Sequence, residues 1–241
     1  MNLIIIQARM DSKRFKGKVL KPLKNKPILS WVIESAKNVK SNTDVIVATS
    51  TNPEDDIIYS FCNEEKVNVF RGDEKNVYSR YKDIIFNYGS KAKNIVRLTA
   101  DNPLVPSELI YNVLSLHLKK ENFYTSNIID RKMPRGLDIE IVSSEYFSNT
   151  IESRLSEDEK EHVTLELRKN IQNYNYTNFE YSKYQKYPEV RLCIDYEIDL
   201  ININKALEFY DNDKLENIIE FLHKEIKISN TKQTKIDGIE W

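Results

Sequence analysis

The feature that most constrains the fold is an alternation of short apolar runs with longer segments of helical period. Runs rich in Val and Ile are predicted to be strands, and they lie at 3–7, 45–49, 67–70 and 94–99. Segments with apolar residues at one-face helical spacing follow these runs, at about 27–39, 53–65, 74–88 and 106–119. This alternation is typical of βαβ units. The first half of the chain therefore predicts an α/β fold with a central, mostly parallel sheet.

The second half of the chain is less regular. Strands are predicted near 123–125, 138–142 and 190–194, and helices at about 143–153, 157–169 and, as two closing helices, 199–223. A polar, tyrosine-rich segment at 171–188 is expected to be a surface excursion or a packing flap. We expect one domain over 1–225 with a smaller excursion at about 123–190, followed by a C-terminal tail at 226–241.

Composition excludes several classes of protein. Lys and Arg number 36 against 37 Asp and Glu, a net charge of -1, so the overall basic field of a nucleic-acid-binding protein is absent. Cys62 and Cys193 lack metal-binding spacing and are expected to be buried free thiols in a reducing compartment. No apolar run approaches the ~20 residues of a membrane span. We expect a cytoplasmic protein without nucleic-acid or membrane partners.

A basic loop follows the first predicted strand in the stretch IIIQARMDSKRFKGK. Its cations are Arg9, Lys13, Arg14, Lys16 and Lys18. Ligands bind at the carboxyl ends of strands in open α/β sheets, and these side chains suit phosphate oxygens. The alternative is a solvated basic loop that leads into the next helix.

Two acidic features follow later strands. Asp101, in RLTADNPL, comes directly after the strand at 94–99, and Asp195, in RLCIDYEIDL, follows the predicted strand at 190–194. If those strands are neighbours, the two carboxylates meet across the cleft and can share Mg²⁺, which favours one or two carboxylates together with substrate phosphates. The alternatives are a cap or turn at Asp101 and helix capping by the later cluster, with Asp199 as the expected cap.

Two further stretches supply candidates for a second substrate. In MPRGLDIEI a turn presents Arg135, and Asp138 and Glu140 are expected to share one face of the following strand. Arg beside two carboxylates suits a ligand that carries a carboxylate and hydroxyls, and an edge strand with a salt bridge is the alternative. In EKEHVT, Glu161 and His162 are placed on a helix, where a lone His is more often structural.

Several of these motifs occur together in a fixed order, and the chain thereby resembles the SpsF-type cytidylyltransferases, relatives of the CMP-Kdo and CMP-sialate synthetases. The motifs are IIIQARMDSKRFKGKVLKPL, DVIVATS, VFRGDE, RLTADNPL, YTSN, PRGLDIE and EHVT, and the match covers about residues 1–200. The resemblance implies a Rossmann-like, three-layer nucleotide-diphospho-sugar transferase fold. It also implies a Mg²⁺-dependent transfer of CMP from CTP, with release of pyrophosphate, to a small-molecule acceptor for surface polysaccharide synthesis.

The resemblance also implies a role for each candidate residue. Catalysis is assigned to Arg9, Arg14, Lys18 and Asp101; these also bind the nucleotide, together with Arg71 and Ala100, while the main chain around Gln7 and Ala8 helps to read the pyrimidine. Mg²⁺ is assigned to Asp101 and Asp195. The acceptor, an acidic sugar or a phosphorylated compound, is assigned to Arg135, Asp138, Glu140, Glu161 and His162. A homodimer is implied as well.

The chain departs from the family pattern at two positions. Lys16 stands where the family loop usually has Pro, which adds a charge and removes rigidity. Leu165 stands where EHVT is often followed by Pro, so the helix there is predicted to be uninterrupted.

Two other functions are alternatives. A glycosyltransferase would be expected to carry a DxD motif after a strand, and TADNP is not one. A non-catalytic nucleotide-binding module is the other alternative, against which the retained Asp101 and Asp195 argue.

Overall fold

The computed structural model describes residues 1–88, 91–209 and 214–225, so the predicted tail at 226–241 lies outside the described residues. The strands are β1 (Asn2–Gln7), β2 (Pro22–Leu23), β3 (Lys26–Pro27), β4 (Thr43–Ser50), β5 (Asn68–Gly72), β6 (Asn94–Thr99), β7 (Tyr124–Ser126), β8 (Glu140–Ser143) and β9 (Tyr176–Asn178). The helices are α1 (Ile28–Lys37), α2 (Asp56–Glu64), α3 (Val77–Tyr88), α4 (Ser107–Lys120), α5 (Glu145–Asn149), α6 (Glu157–Glu161), α7 (Leu165–Lys169), α8 (Glu197–Phe209) and α9 (Leu215–Glu225). None of these helices is long and apolar enough to cross a membrane.

In the described ranges, seven strands form one sheet in the order β5-β4-β1-β6-β8-β7-β9. Strands β5, β4, β1 and β6 are parallel, β8 is antiparallel to both β6 and β7, and β9 is parallel to β7. The prediction of an α/β fold with a mostly parallel sheet is confirmed. The chain passes from β1 to β4 and β5 on one side and then returns to β6 on the other. The topological switch point, where such folds bind ligands, therefore lies between β1 and β6.

Both faces of the sheet are covered, and β1 shows why. Ile4 and Ile6 are fully buried in a cluster with α1, α2, α4, α8 and α9, whereas Leu3 and Ile5 are buried against α3 and α5. The period of two along a strand sends alternate side chains to opposite faces. Each buried Ile or Leu contributes about 1.5–3 kcal/mol. An all-apolar strand is thus stable only between two layers of helices.

The structure corrects two predicted elements. Residues 190–194 are not a strand beside β6, because β8 occupies that edge of β6; only an isolated bridge joins Arg135 to Arg191. The helix predicted at 157–169 is interrupted despite Leu165, since α6 ends at Glu161 and α7 begins at Leu165. The intervening Val163 is buried in the core, and the Thr164 hydroxyl donates to the buried carboxylate of Glu140. These two anchors break the helix without proline.

The excursion at 123–190 supplies β7, β8 and β9 to the same sheet. Within it, the tyrosine-rich segment contributes an unpredicted edge strand, β9, and buries Tyr184 against the core. The strand predicted at 138–142 begins at Glu140, so Asp138 lies in the preceding loop. The expected free thiols are confirmed, since Cys62 and Cys193 are both buried and unpaired.

Candidate active site

The basic loop after β1 is fixed by backbone hydrogen bonds and one buried carboxylate. The amide of Ala8 donates to the carbonyl of Ala48 at 3.1 Å, and the amide of Met10 donates to Asp55 Oδ1 at 2.7 Å. The loop then folds back, since the amide of Gly17 donates to the carbonyl of Met10 at 2.9 Å. Gly17 has φ +69°, a conformation that glycine adopts without steric cost. This turn aims the next residue, Lys18, back into the cleft.

Lys18 joins the two carboxylates that the sequence singled out. Its Nζ lies 2.7 Å from Asp101 Oδ2 and 3.0 Å from Asp195 Oδ1, and the residue is only 7% exposed. Burial disfavours the ammonium, but the charges of Asp101 and Asp195 outweigh it and raise the pKa of Lys18. The amide of Ile194 donates to the carbonyl of Asp101 at 2.9 Å. The two carboxylates therefore meet as predicted, although the predicted strand that was to bring them together is absent.

Asp195 is the centre of a cluster of cations. Arg14 Nη2 lies 2.5 Å from its Oδ1, and Arg191 Nη2 lies 3.1 Å from its Oδ2. Burial opposes ionisation of Asp195, but Lys18 and Arg14 lower the pKa of its carboxyl group. The carboxylate of Asp199 accepts from the amides of Asp195 and Tyr196, both at 2.9 Å, at the start of α8. Asp199 is the third residue of α8 and not its N-cap, and its carboxylate reaches back to fix the backbone of Asp195 and Tyr196 before the helix begins.

The carboxylate pair has the chemistry of a divalent-cation site. Two carboxylates already share one cation at hydrogen-bonding distance, and Mg²⁺ is commonly held by one or two carboxylates together with substrate phosphates and water. Within the described part of the chain, no group of three or more His, Cys, Asp or Glu could enclose a metal without a substrate. Asp101 and Asp195 therefore fit a metal that arrives with a polyphosphate.

The predicted acceptor residues lie in two places. Arg9 Nη2 forms an ion pair with Glu161 Oε1 at 2.8 Å, which links the basic loop to α6. Burial lowers the pKa of the adjacent His162. Asp138 forms a two-pronged ion pair with Arg131, with N–O distances of 2.6 and 2.9 Å. These side chains are partly exposed and remain candidates for contact with a second substrate.

The turn that carries Arg135 packs directly beside the Asp195 segment. The amide of Leu192 donates to the carbonyl of Arg135 at 2.7 Å. Gly136 has φ +101°, and a Cβ there would lie 2.3 Å from the backbone nitrogen of Cys193. Only glycine permits this approach. The turn is thereby held next to the carboxylate pair.

Glu140 differs from what the sequence predicts. It is 1% exposed, and its carboxylate is engaged by Arg97, Tyr124 and Thr164. A carboxylate buried in this way does not face the cleft. The period of two along a strand failed to pair it with Asp138 because β8 begins only at Glu140.

Two residues of the predicted nucleotide set, Arg71 and Ala100, connect the ends of neighbouring strands. The Arg71 side chain donates to the carbonyls of Ser50, the last residue of β4, and of Asn52 at 2.9 and 3.0 Å, and it pairs with Asp56 at 2.7 Å. The amide of Ala100 donates to the carbonyl of Gln7 at 3.0 Å, which joins the ends of β6 and β1.

Sequence reasoning missed Arg97 and Asp55. Arg97 lies inside the apolar strand NIVRLT, and a charge in the middle of a buried strand was the available signal. Asp55 falls in the predicted helix at 53–65, yet it is 2% exposed and its carboxylate holds the basic loop. Nothing in the local sequence distinguishes it from Glu54.

Comparison with known proteins gives a consistent result. A family model described as Cytidylyltransferase matches residues 3–237. An uncharacterized protein of Methanocaldococcus jannaschii is 36% identical over 231 residues, which are 94% of this chain and 92% of that protein. The spore coat polysaccharide biosynthesis protein SpsF of Bacillus subtilis is 34% identical over 210 residues, 85% of each chain. A 3-deoxy-manno-octulosonate cytidylyltransferase of Blochmanniella floridana is 34% identical over 132 residues, 53% of this chain and 49% of that enzyme.

Solved structures show the same architecture. A cytidylyltransferase from Leptospira borgpetersenii superposes with a TM-score of 0.84 at 27% identity, covering 93% of this chain and 94% of that one. The structure of CMP:2-keto-3-deoxy-manno-octonic acid synthetase complexed with CTP superposes with a TM-score of 0.63 over 87% of this chain and 99% of that one. At 16% identity the second match concerns the fold alone.

Proposed function

Given that this chain belongs to the cytidylyltransferase family, we propose that it transfers CMP from CTP to an acidic sugar or a phosphorylated small molecule, with Mg²⁺ as the metal and pyrophosphate as the leaving group. The observation that carries the proposal is the position of Lys18 Nζ between Asp101 and Asp195, at 2.7 and 3.0 Å. Cations and carboxylates meet there at the switch point of the sheet, as a metal-bound triphosphate requires.

The cations divide into two roles in this proposal. Lys18 and Arg14 both contact Asp195, and in this proposal they exchange that carboxylate for phosphate oxygens when CTP binds. Arg supplies a planar fork and Lys a compact point charge, so together they neutralise the departing pyrophosphate. Asp101 and Asp195 would then be available to hold Mg²⁺, which would supply electrostatic stabilisation of the phosphate oxygens.

The acceptor is proposed to enter on the side of Arg135, Asp138, Glu161 and His162. The Arg135 turn is packed against the Asp195 segment, so a ligand bound by Arg135 would lie near the carboxylate pair. An Arg at this place suits a carboxylate or phosphate on the acceptor. Glu140 is not kept in this set because its side chain is buried. The homodimer implied by the resemblance is part of the proposal, and the molar mass in solution tests it.

The proposal is tested by pyrophosphate release. CTP, UTP, ATP and GTP are each incubated with Mg²⁺ and a panel of acidic sugars, sugar phosphates and polyol phosphates. We expect release with CTP and one class of acceptor, and no release when Mg²⁺ is replaced by a chelator. Release that favours another nucleotide, or that is indifferent to the metal, would contradict the proposal.

A further inference from the structure

A connected set of buried and partly buried polar side chains spans the switch point on the sheet face that carries α3 and α5. Arg97, in β6, donates through Nη1 to Glu140 Oε1 and through Nη2 to Gln7 Oε1, the latter at 3.2 Å. Ile5 of β1 is in register with Arg97, so the guanidinium reaches along β1 to Gln7, the last residue of that strand. The set therefore joins β8, β6 and β1.

The carboxyl group of Glu140, at one end of this set, is ionised near neutral pH. Its Oε2 accepts from the hydroxyls of Tyr124 and Thr164, both at 2.5 Å. Burial opposes its ionisation, but Arg97 and Arg168, together with those hydroxyls, lower the pKa of Glu140 to about 2. A permanent anion thus stands against Arg97 and holds its guanidinium in place.

The orientation of Gln7 follows from the chemistry of Arg97. A guanidinium has only donors, so the atom of Gln7 that meets it must be the amide oxygen. The NH₂ group of Gln7 then points away from Arg97. Gln7 is partly exposed, and its Nε2 forms no hydrogen bond with the residues that the structure describes. Within the described part of the chain, Gln7 thus offers an oriented donor without a protein partner at the carboxyl end of β1.

The position of this donor favours the nucleoside half of the nucleotide. Gln7 is in register with Thr99, two residues before Asp101, so it borders the crevice in which the carboxylate pair lies. In the proposed function, Lys18 and Arg14 bind the phosphates of CTP. The amide of Gln7 is a neutral donor and not part of that cation cluster, and such a donor suits a carbonyl, ring nitrogen or hydroxyl rather than phosphate.

We propose that Glu140 and Arg97 are positioning residues that fix the side-chain amide of Gln7 as a hydrogen-bond donor to an acceptor atom on the nucleoside of CTP. This proposal rests on the proposed function. The family resemblance implicates only the main chain around Gln7, whereas this proposal assigns a role to the side chain of Gln7. It also gives the buried Glu140 a role that does not require contact with the acceptor.

The first experiment measures CTP affinity by calorimetry in Mg²⁺ for wild type and Gln7→Met. Met keeps the volume of Gln7 and removes the donor, so we expect affinity to fall about 3- to 10-fold, the effect of one neutral hydrogen bond. Gln172→Met, at an exposed position away from the site, is the matched control and should bind as wild type does. Unchanged affinity in Gln7→Met would overturn the proposal.

Affinities for UTP and 2′-deoxy-CTP identify the atom of the nucleoside that accepts the hydrogen bond from Gln7. If Gln7 donates to pyrimidine O2, the substitution weakens CTP and UTP equally. If it donates to N3, only CTP is weakened, because N3 of uracil carries a proton. If it donates to the 2′-hydroxyl, 2′-deoxy-CTP binds equally to both proteins.

The positioning role is tested with Glu140→Gln alone and combined with Gln7→Met. Glu140→Gln should weaken CTP binding in the wild-type background and cause no further loss in the Gln7→Met background. Equal losses in both backgrounds would mean that Glu140 does not act through Gln7. If Glu140→Gln folds poorly in thermal melts, Glu140→Asp keeps the charge, withdraws it from Arg97 and gives the same comparison. Failure of wild type to bind CTP would instead count against the proposed function itself.

Discussion

Replacement of Lys18 by Met should show that the Lys18 ammonium and a divalent metal compete for the carboxylates of Asp101 and Asp195. Lys18 Nζ lies between Asp101 Oδ2 and Asp195 Oδ1, where both carboxylates are within 3.0 Å of a single cation. Met retains the aliphatic volume but not the charge. Two partly buried carboxylates then face each other without the cation that joins them, and a divalent ion should take its place.

The size of the effect follows from the remaining partners. Loss of one partner from a buried ion pair costs about 3–5 kcal/mol. We expect the low end, roughly 3 kcal/mol, because Arg14 and Arg191 still contact Asp195 at 2.5 and 3.1 Å. For a chain of this length that lowers Tm by roughly 6–12 °C. A metal at 100 times its Kd restores about 2.7 kcal/mol, which is most of the loss.

The assay is thermal unfolding with and without Mn²⁺, in the absence of nucleotide. Wild type should shift little, because the metal must displace the buried Lys18 ammonium, whereas Lys18→Met should regain several degrees. Lys16→Met is the matched control, since Lys16 is an exposed loop lysine that pairs with Glu54 instead. The reasoning is refuted if Mn²⁺ stabilises Lys18→Met no more than it stabilises wild type and Lys16→Met.

Three further predictions concern individual side chains. Asp101→Asn should reduce pyrophosphate release by orders of magnitude with unchanged circular dichroism, because the metal loses a charged ligand; near-normal turnover would remove Asp101 from the metal site. Arg14→Ala should raise the KM for CTP roughly 10- to 100-fold, the effect of a charged hydrogen bond, and an unchanged KM would leave the loop merely solvated. The pKa of Glu140 falls from 4.5 to about 2 on folding, so its contribution of roughly 3 kcal/mol is present above pH ~4.5 and is lost as pH falls toward ~2. Urea unfolding across that range should therefore show a shallower pH dependence in Glu140→Gln, and an equal slope would contradict the assignment.

The parallel half of the fold was predictable because its signals are local. Val- and Ile-rich runs such as 94–99 become strands wherever they are buried on both faces, and β6 has the predicted bounds. The segment at 190–194 carries the same apolar signal, yet it is not a strand in the sheet because β8 already pairs with that side of β6. Which of the two candidate strands pairs with β6 depends on contacts between residues that are distant in sequence. The local sequence pattern does not determine it.

The site was predictable where it depends on strand ends and not where it depends on burial. Asp101 follows a strand, so its place at the cleft could be inferred from the sequence. The burial of Glu140 could not, because it requires Arg97 from β6, Tyr124 from β7 and Thr164 from the segment between α6 and α7 to converge. The break before Leu165 has the same origin, since Thr164 is held by that carboxylate and not by a local helix-breaking residue.

The most direct test of the account follows the label from CTP into product. Wild-type protein is incubated with Mg²⁺, a protein-free small-molecule extract of cells as the source of acceptor, and CTP labelled on either the α- or the γ-phosphorus. Attack on the α-phosphorus predicts that α-label appears in an acceptor-linked product and γ-label appears in pyrophosphate, both abolished by Asp101→Asn. Transfer of γ-label to the acceptor would contradict the account, because the site would then perform phosphoryl transfer and not cytidylyl transfer.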